Sequence, residues 1–136
     1  MAYRGSFCLI LFHEPGFGLE GAFRALSACG DLCVTCETDG LARLAAQRSG
    51  GPALTISFQS GPATQRWTTR LGEGAEHAAA LGHCDACFFI HIADLRASLK
   101  DVTGLLAVQK ALVEATQGFQ YTLWNDKICS AAELTG

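Results

Sequence analysis

Ser6-Phe-Cys-Leu-Ile-Leu-Phe-His13 is apolar without interruption from Phe7 to Phe12, and Gly5 and Pro15 bound it. Successive side chains on a β-strand point to opposite faces, so a short run with no polar set reads as a strand covered on both sides. Such a strand belongs in the middle of a sheet. The run is far shorter than the roughly 20 residues of a membrane span. His13-Glu14-Pro15 follows it where a secretory leader would carry small residues. No export or membrane segment is therefore expected.

Outward from this strand, Leu19, Ala22, Phe23, Leu26 and Cys29 recur at helical spacing and Gly30 stands where a C-cap glycine belongs, which predicts a helix over 19–29. Val34 and Thr35 favour a second strand over 31–37. Leu41, Leu44, Ala45 and Arg48 fit a short helix stopped by Gly50-Gly51-Pro52. Leu54, Ile56 and Phe58 alternate with Thr55 and Ser57, so 53–59 reads as a strand with one wet face. Residues 64–71 alternate around Trp67 and are read as its hairpin partner across Ser60-Gly61-Pro62-Ala63. An Ala-rich helix is expected over 73–81, a strand over 86–93 and a preliminary turn over 95–100. The longest helix, over 102–117, is ended by Gly118, and a last strand covers 119–124. The order is β-α-β-α-β-β-α-β-α-β. It implies an α/β fold, with α+β as the variant: a mixed β-sheet with packed helices in a single globular domain over 1–136.

Composition narrows the function. With 10 Lys+Arg against 13 Asp+Glu, the net charge of −3 offers no basic field to a phosphate backbone, so nucleic acid is not an expected partner. Only 17% of residues are charged, against about 25% in an average domain. A lightly charged surface of this kind tends to associate, with itself or with another protein. An odd count of seven cysteines cannot all pair within one chain, which points to free thiols in a reducing cytoplasm.

Two Cys-x-x-Cys pairs, Cys33/Cys36 and Cys84/Cys87, are the most conspicuous chemical motif. Together they have the ligand count of a tetrahedral zinc site. Against that, 47 residues separate the pairs, and a three-residue spacing on a strand sends the two thiols to opposite faces. Zinc at Cys33, Cys36, Cys84 and Cys87 is thus an alternative to buried or surface thiols. A redox role is weaker still, since neither pair opens a helix. His13, His77, His83 and His91 show no spacing of a metalloprotease or a catalytic triad, and no catalytic residue is assigned.

Gly16-Phe-Gly18-Leu-Glu-Gly21 follows the first strand at the mouth of a helix, and Glu37 closes the next strand. Over residues 6–37 this resembles the Rossmann dinucleotide fingerprint, which implies that Gly16, Gly18 and Gly21 hold an NAD pyrophosphate and Glu37 a ribose, as in a small oxidoreductase. His13-Glu14-Pro15 lengthens the turn and Glu14 places negative charge near a phosphate. The competing reading is a loop in which Gly21 permits close packing.

Residues 102–117 followed by Gly118-Phe-Gln-Tyr-Thr-Leu-Trp-Asn125 resemble the closing part of small bacterial immunity proteins, which neutralise a toxin by covering it. The resemblance implies a cytoplasmic protein-binding module without a catalytic residue or cofactor, and its acidic balance would suit a basic toxin. Trp124, with Tyr121, Asn125 and Asp126, is the expected partner-binding anchor. Trp67 would suit an interface if exposed.

Overall fold

The computed structural model describes residues 6–13, 17–30, 32–37, 43–48, 51–72, 78–93, 95–100, 102–122 and 127–130. The apolar run forms β1 (Ser6–Phe12), followed by α1 (Leu19–Ser27), β2 (Leu32–Glu37), β3 (Arg43–Arg48), β4 (Leu54–Ser60), α2 (Pro62–Gly72), α3 (Ala78–Leu81), β5 (Ala86–Ile92), α4 (Leu95–Lys100), α5 (Val102–Thr116), β6 (Phe119–Thr122) and β7 (Lys127–Ser130). Among the described residues seven strands join one sheet in the order β2-β3-β4-β5-β1-β6-β7. Each of the six pairings is antiparallel.

β1 lies between β5 and β6 and is covered on both faces, as its unbroken apolar sequence requires. On one face Cys8, Ile10 and Phe12 meet Phe88, Ile90 and Ile92 of β5, Ala22 and Leu26 of α1, and Val108 and Leu112 of α5. On the other, Leu9 and Leu11 meet Leu81, Cys84, Cys87 and Tyr121, with Leu71 of α2 packed alongside. The larger core holds a cluster of phenylalanine rings in which Phe88 stands 5.1 Å from Phe12, 5.5 Å from Phe58 and 6.0 Å from Phe17. The second helical layer is the smaller one. On that face Cys33, Thr35 and Gln47 of β2 and β3 are exposed.

Several expectations are corrected. Residues 43–48 form a strand rather than a helix. Leu44 and Ala46 fit a period of two as well as Leu41, Leu44 and Ala45 fit a helix, and pairing on both sides with β2 and β4 decides between them. Residues 64–71 lie in α2 rather than in a hairpin strand. Pro62 sits at its first position, and Thr64, Thr68 and Leu71 turn inward at helical spacing. The Ala-rich helix is described only as α3, β6 is described only to Thr122, and β7 was not anticipated. The opening β-α-β unit is not a parallel crossover, since β5, β4 and β3 stand between β1 and β2. Among the described residues no helix is long and apolar enough to cross a membrane.

Candidate functional site

β1 and β5 each carry an aromatic side chain on the smaller-layer face, Phe7 and Phe89. Register places Phe89 opposite Leu9 and Phe7 opposite His91, so the two rings meet diagonally, 6.0 Å apart at 49°. α2 brings a third ring. Trp67 lies nearly parallel to Phe89, with centroids 6.0 Å apart at 27°. The helix is held there by two bonds: the Thr68 hydroxyl donates to the Cys84 carbonyl at 2.6 Å, and Gln65 Nε2 donates to the Gly82 carbonyl at 3.2 Å.

These three rings, with Gln59, Ala63 and Thr64, line an open cleft of about 330 Å³. Trp67 remains 37% exposed, one of only four large apolar side chains among the described residues that are so accessible. Beyond the aromatic wall the floor becomes polar, since Ser57 lies opposite Phe89 and Thr55 opposite His91 on the same face of β4 and β5. His91 is exposed. An apolar wall with hydroxyls and an imidazole nearby on the sheet has the chemistry of an apolar anchor site with a polar border.

The thiols do not converge. Cys33 and Cys36 are exposed on β2, opposite Gln47 and Leu44 and hence on opposite faces. Cys84 and Cys87 are buried. Strands lie about 4.8 Å apart, so the three spacings from β2 to β5 amount to about 14 Å. Contrary to the strand spacing, Cys84 and Cys87 share one apolar cluster, because Cys84 lies in the turn before β5 rather than in the strand. Burial pushes the Cys87 thiol up to about 12, and burial with Asp85 alongside pushes Cys84 up to about 11. Thiols so protonated are poor nucleophiles and poor metal ligands. Among the described residues no group of three His, Cys, Asp or Glu side chains is placed to hold a metal.

The described glycines of the fingerprint serve capping and packing. Gly18 is the N-cap of α1, and Glu20 in the first turn is paired with Arg24 at 2.7 Å, so the helix start already has its anion. A Cβ at Gly21 would come 2.6 Å from the ring of Phe17, which makes Gly21 a packing glycine. Glu37 ends β2, four positions across the sheet from β1, whereas the fingerprint needs neighbouring parallel strands. Gly16 and Glu14 lie outside the described residues.

Of the expected partner-binding residues, Tyr121 is buried, at 8% exposure, in the cluster with Leu9 and Leu11. It is a core residue, not an anchor. Gln120 and Thr122 on the opposite face of β6 are buried as well. Trp124, Asn125 and Asp126 lie outside the described residues. The cleft around Trp67 is not legible in the sequence, because the alternation over 64–71 reads as a strand where α2 forms. The signal that could have revealed it is Gly61-Pro62, a glycine followed by a proline at a helix start. His13 Nδ1, 3.5 Å from Asp85 Oδ1, helps tack the end of β1 to the start of β5, alongside the Asp85 amide that donates to the Phe12 carbonyl.

Comparison of the chain with protein-family models, with curated proteins and with solved structures gives no match.

Proposed function

We propose that this protein is a protein-binding module whose anchor site is the Phe7–Trp67–Phe89 cleft. The observation that carries this reading is Trp67, stacked on Phe89 on one side and open to solvent on the other, at the mouth of a recess large enough for one apolar side chain. Aromatic residues in such positions dominate protein interfaces, ringed by polar neighbours of the kind that Gln59, Ser57 and His91 provide. The protonated, buried thiols and the dispersed histidines favour binding over chemistry. The resemblance of residues 102–125 to immunity proteins supports a toxin as the partner, and the acidic balance supports a basic one.

The test is a photo-reactive amino acid placed at Ala63, on the lip of the cleft, in cells of the native host. It should yield one specific protein adduct that the same group at Leu106, an exposed residue of α5, does not yield. With that partner purified, affinity follows from area. A tryptophan presents roughly 250 Å², so the 37% left open is about 90 Å². Covering it contributes about 2 kcal/mol, some thirtyfold in Kd, which Trp67→Ala should lose. An adduct that forms equally from Leu106, or an affinity unchanged in folded Trp67→Ala, removes the cleft from the interface.

A further inference from the structure

We propose that the outer edge of β2 pairs antiparallel with β2 of a second copy of this chain, joining two sheets into one. Among the described residues β2 is the terminal strand of the sheet, so past Leu32, whose N–H donates to the Cys29 carbonyl, every second residue directs its N–H and C=O away from β3. Proteins ordinarily guard such an edge with lysine, proline, a bulge or a very short strand. The opposite edge is guarded by its shortness: β7, as described, has four residues. β2 has six residues, Leu-Cys-Val-Thr-Cys-Glu, with neither lysine nor proline. Its register against β3 runs one-to-one from Leu32↔Arg48 to Glu37↔Arg43 without a bulge, so the edge stays regular to its end. Cys33, Thr35 and Cys36 are exposed.

Symmetry selects the occupant. A two-fold axis perpendicular to the sheet makes an edge its own complement, closes the assembly at two copies and leaves only the guarded edges outside. Residues facing each other across that axis must belong to the same face. Centring the pairing on Thr35 sets threonine against threonine, a favourable cross-strand pair. Within Leu32–Glu37 it sets position 37 opposite Cys33 of the second copy, so no two acidic positions of the strand face each other. A net charge of −3 adds little long-range repulsion. Six residues a side fall short of the roughly 20–30 of a standard interface, so the dimer is weak and its population follows concentration.

Sedimentation equilibrium of the full chain, from about 5 to about 500 µM, should show the mass rising from 14.4 kDa toward twice that value. Thr35→Lys places two ammonium groups side by side on the new ladder and should keep the protein monomeric with unchanged circular dichroism, while Thr35→Val should dimerise like the parent. Amide exchange of the unaltered protein should slow in β2, and not in β7, as concentration rises over the same range. A parent that stays monomeric at the highest concentration overturns the proposal. So does association that Thr35→Lys leaves intact, or a rising mass with β2 exchange unchanged.

Discussion

Gly118 and Gln117 exchange the roles their residue types imply, and a pair of substitutions tests this. At the end of α5 it is Gln117 that adopts the left-handed conformation, φ 54°, and Gly118 does not. Gly118 is a glycine for a different reason: a Cβ there would overlap the Leu11 carbonyl oxygen and lie 2.9 Å from Phe12 Cβ. Gly118→Ala must therefore push β6 away from β1 beside Phe12, which is fully buried among the rings of the larger core. Overpacking of this kind costs about 1–3 kcal/mol, and with backbone on both sides of the contact we expect the upper end, about 3 kcal/mol. Gln117→Gly relieves a left-handed non-glycine residue worth about 1 kcal/mol. The same change adds freedom to the unfolded chain and removes the exposed Gln117 Nε2 bond to the Glu114 carbonyl, which offset part of that gain. The net change should lie between zero and about +1 kcal/mol. With a urea m-value of about 2 kcal/mol/M, Gly118→Ala should lower the midpoint by about 1.5 M and Gln117→Gly should leave it unchanged or raise it by up to about 0.5 M. If Gly118 served as the left-handed cap instead, the gap would close: Gly118→Ala would cost only about 1 kcal/mol and Gln117→Gly would destabilise by about 0.5 kcal/mol. Two small losses of similar size refute the close-packing account.

Phe88→Ala removes the ring at the centre of the phenylalanine cluster and should cost about 3–5 kcal/mol, with Phe88→Leu costing less than half as much by thermal unfolding. Thr68→Val leaves the Cys84 carbonyl without its donor and should cost about 1–2 kcal/mol, with faster amide exchange confined largely to α2. Alkylation at pH 8 followed by mass mapping should label Cys33 and Cys36 quickly, while Cys8, Cys84 and Cys87 react only on unfolding. The same three thiols set an alkaline limit. Their folded values are raised from 9.0 to about 12, about 11 and about 12, so the folded state holds protons that the unfolded state releases. Stability should be fully present below pH 9 and fall as pH rises toward 12, at up to about 1.4 kcal/mol per pH unit for each thiol. Cys87→Ala should flatten that slope, and a urea midpoint constant from pH 8 to pH 10.5 would contradict the burial.

Much of the architecture is legible residue by residue where the signal is local. The uninterrupted run from Phe7 to Phe12, the alternation of Leu54, Ile56 and Phe58, and the apolar side of 102–117 place β1, β4 and α5, because burial on two faces, one face or a helical stripe leaves its own periodicity in the chain. Short segments with two compatible periods are not legible. Leu44 and Ala46 suit a strand as well as a helix, and Thr64, Trp67 and Thr68 have strand-like side chains in a helix that Pro62 starts. In each case neighbours distant in sequence decide, through ladders with β2 and β4 or through the Thr68 bond to Cys84.

The chain by itself determined that the protein has both helices and strands, with a covered central strand. The sheet order was beyond its reach. Hydrophobic pattern says which face of a strand is buried, not which strand lies beside it, so neither the antiparallel order that separates Cys33 from Cys84 and Gly18 from Glu37 nor the meeting of Phe7, Trp67 and Phe89 could be read in advance. Those three residues are up to 82 positions apart and belong to β1, α2 and β5. They share a cleft only because β1 pairs with β5 and α2 folds back over both, a consequence of burying two faces of one sheet with helices of unequal extent.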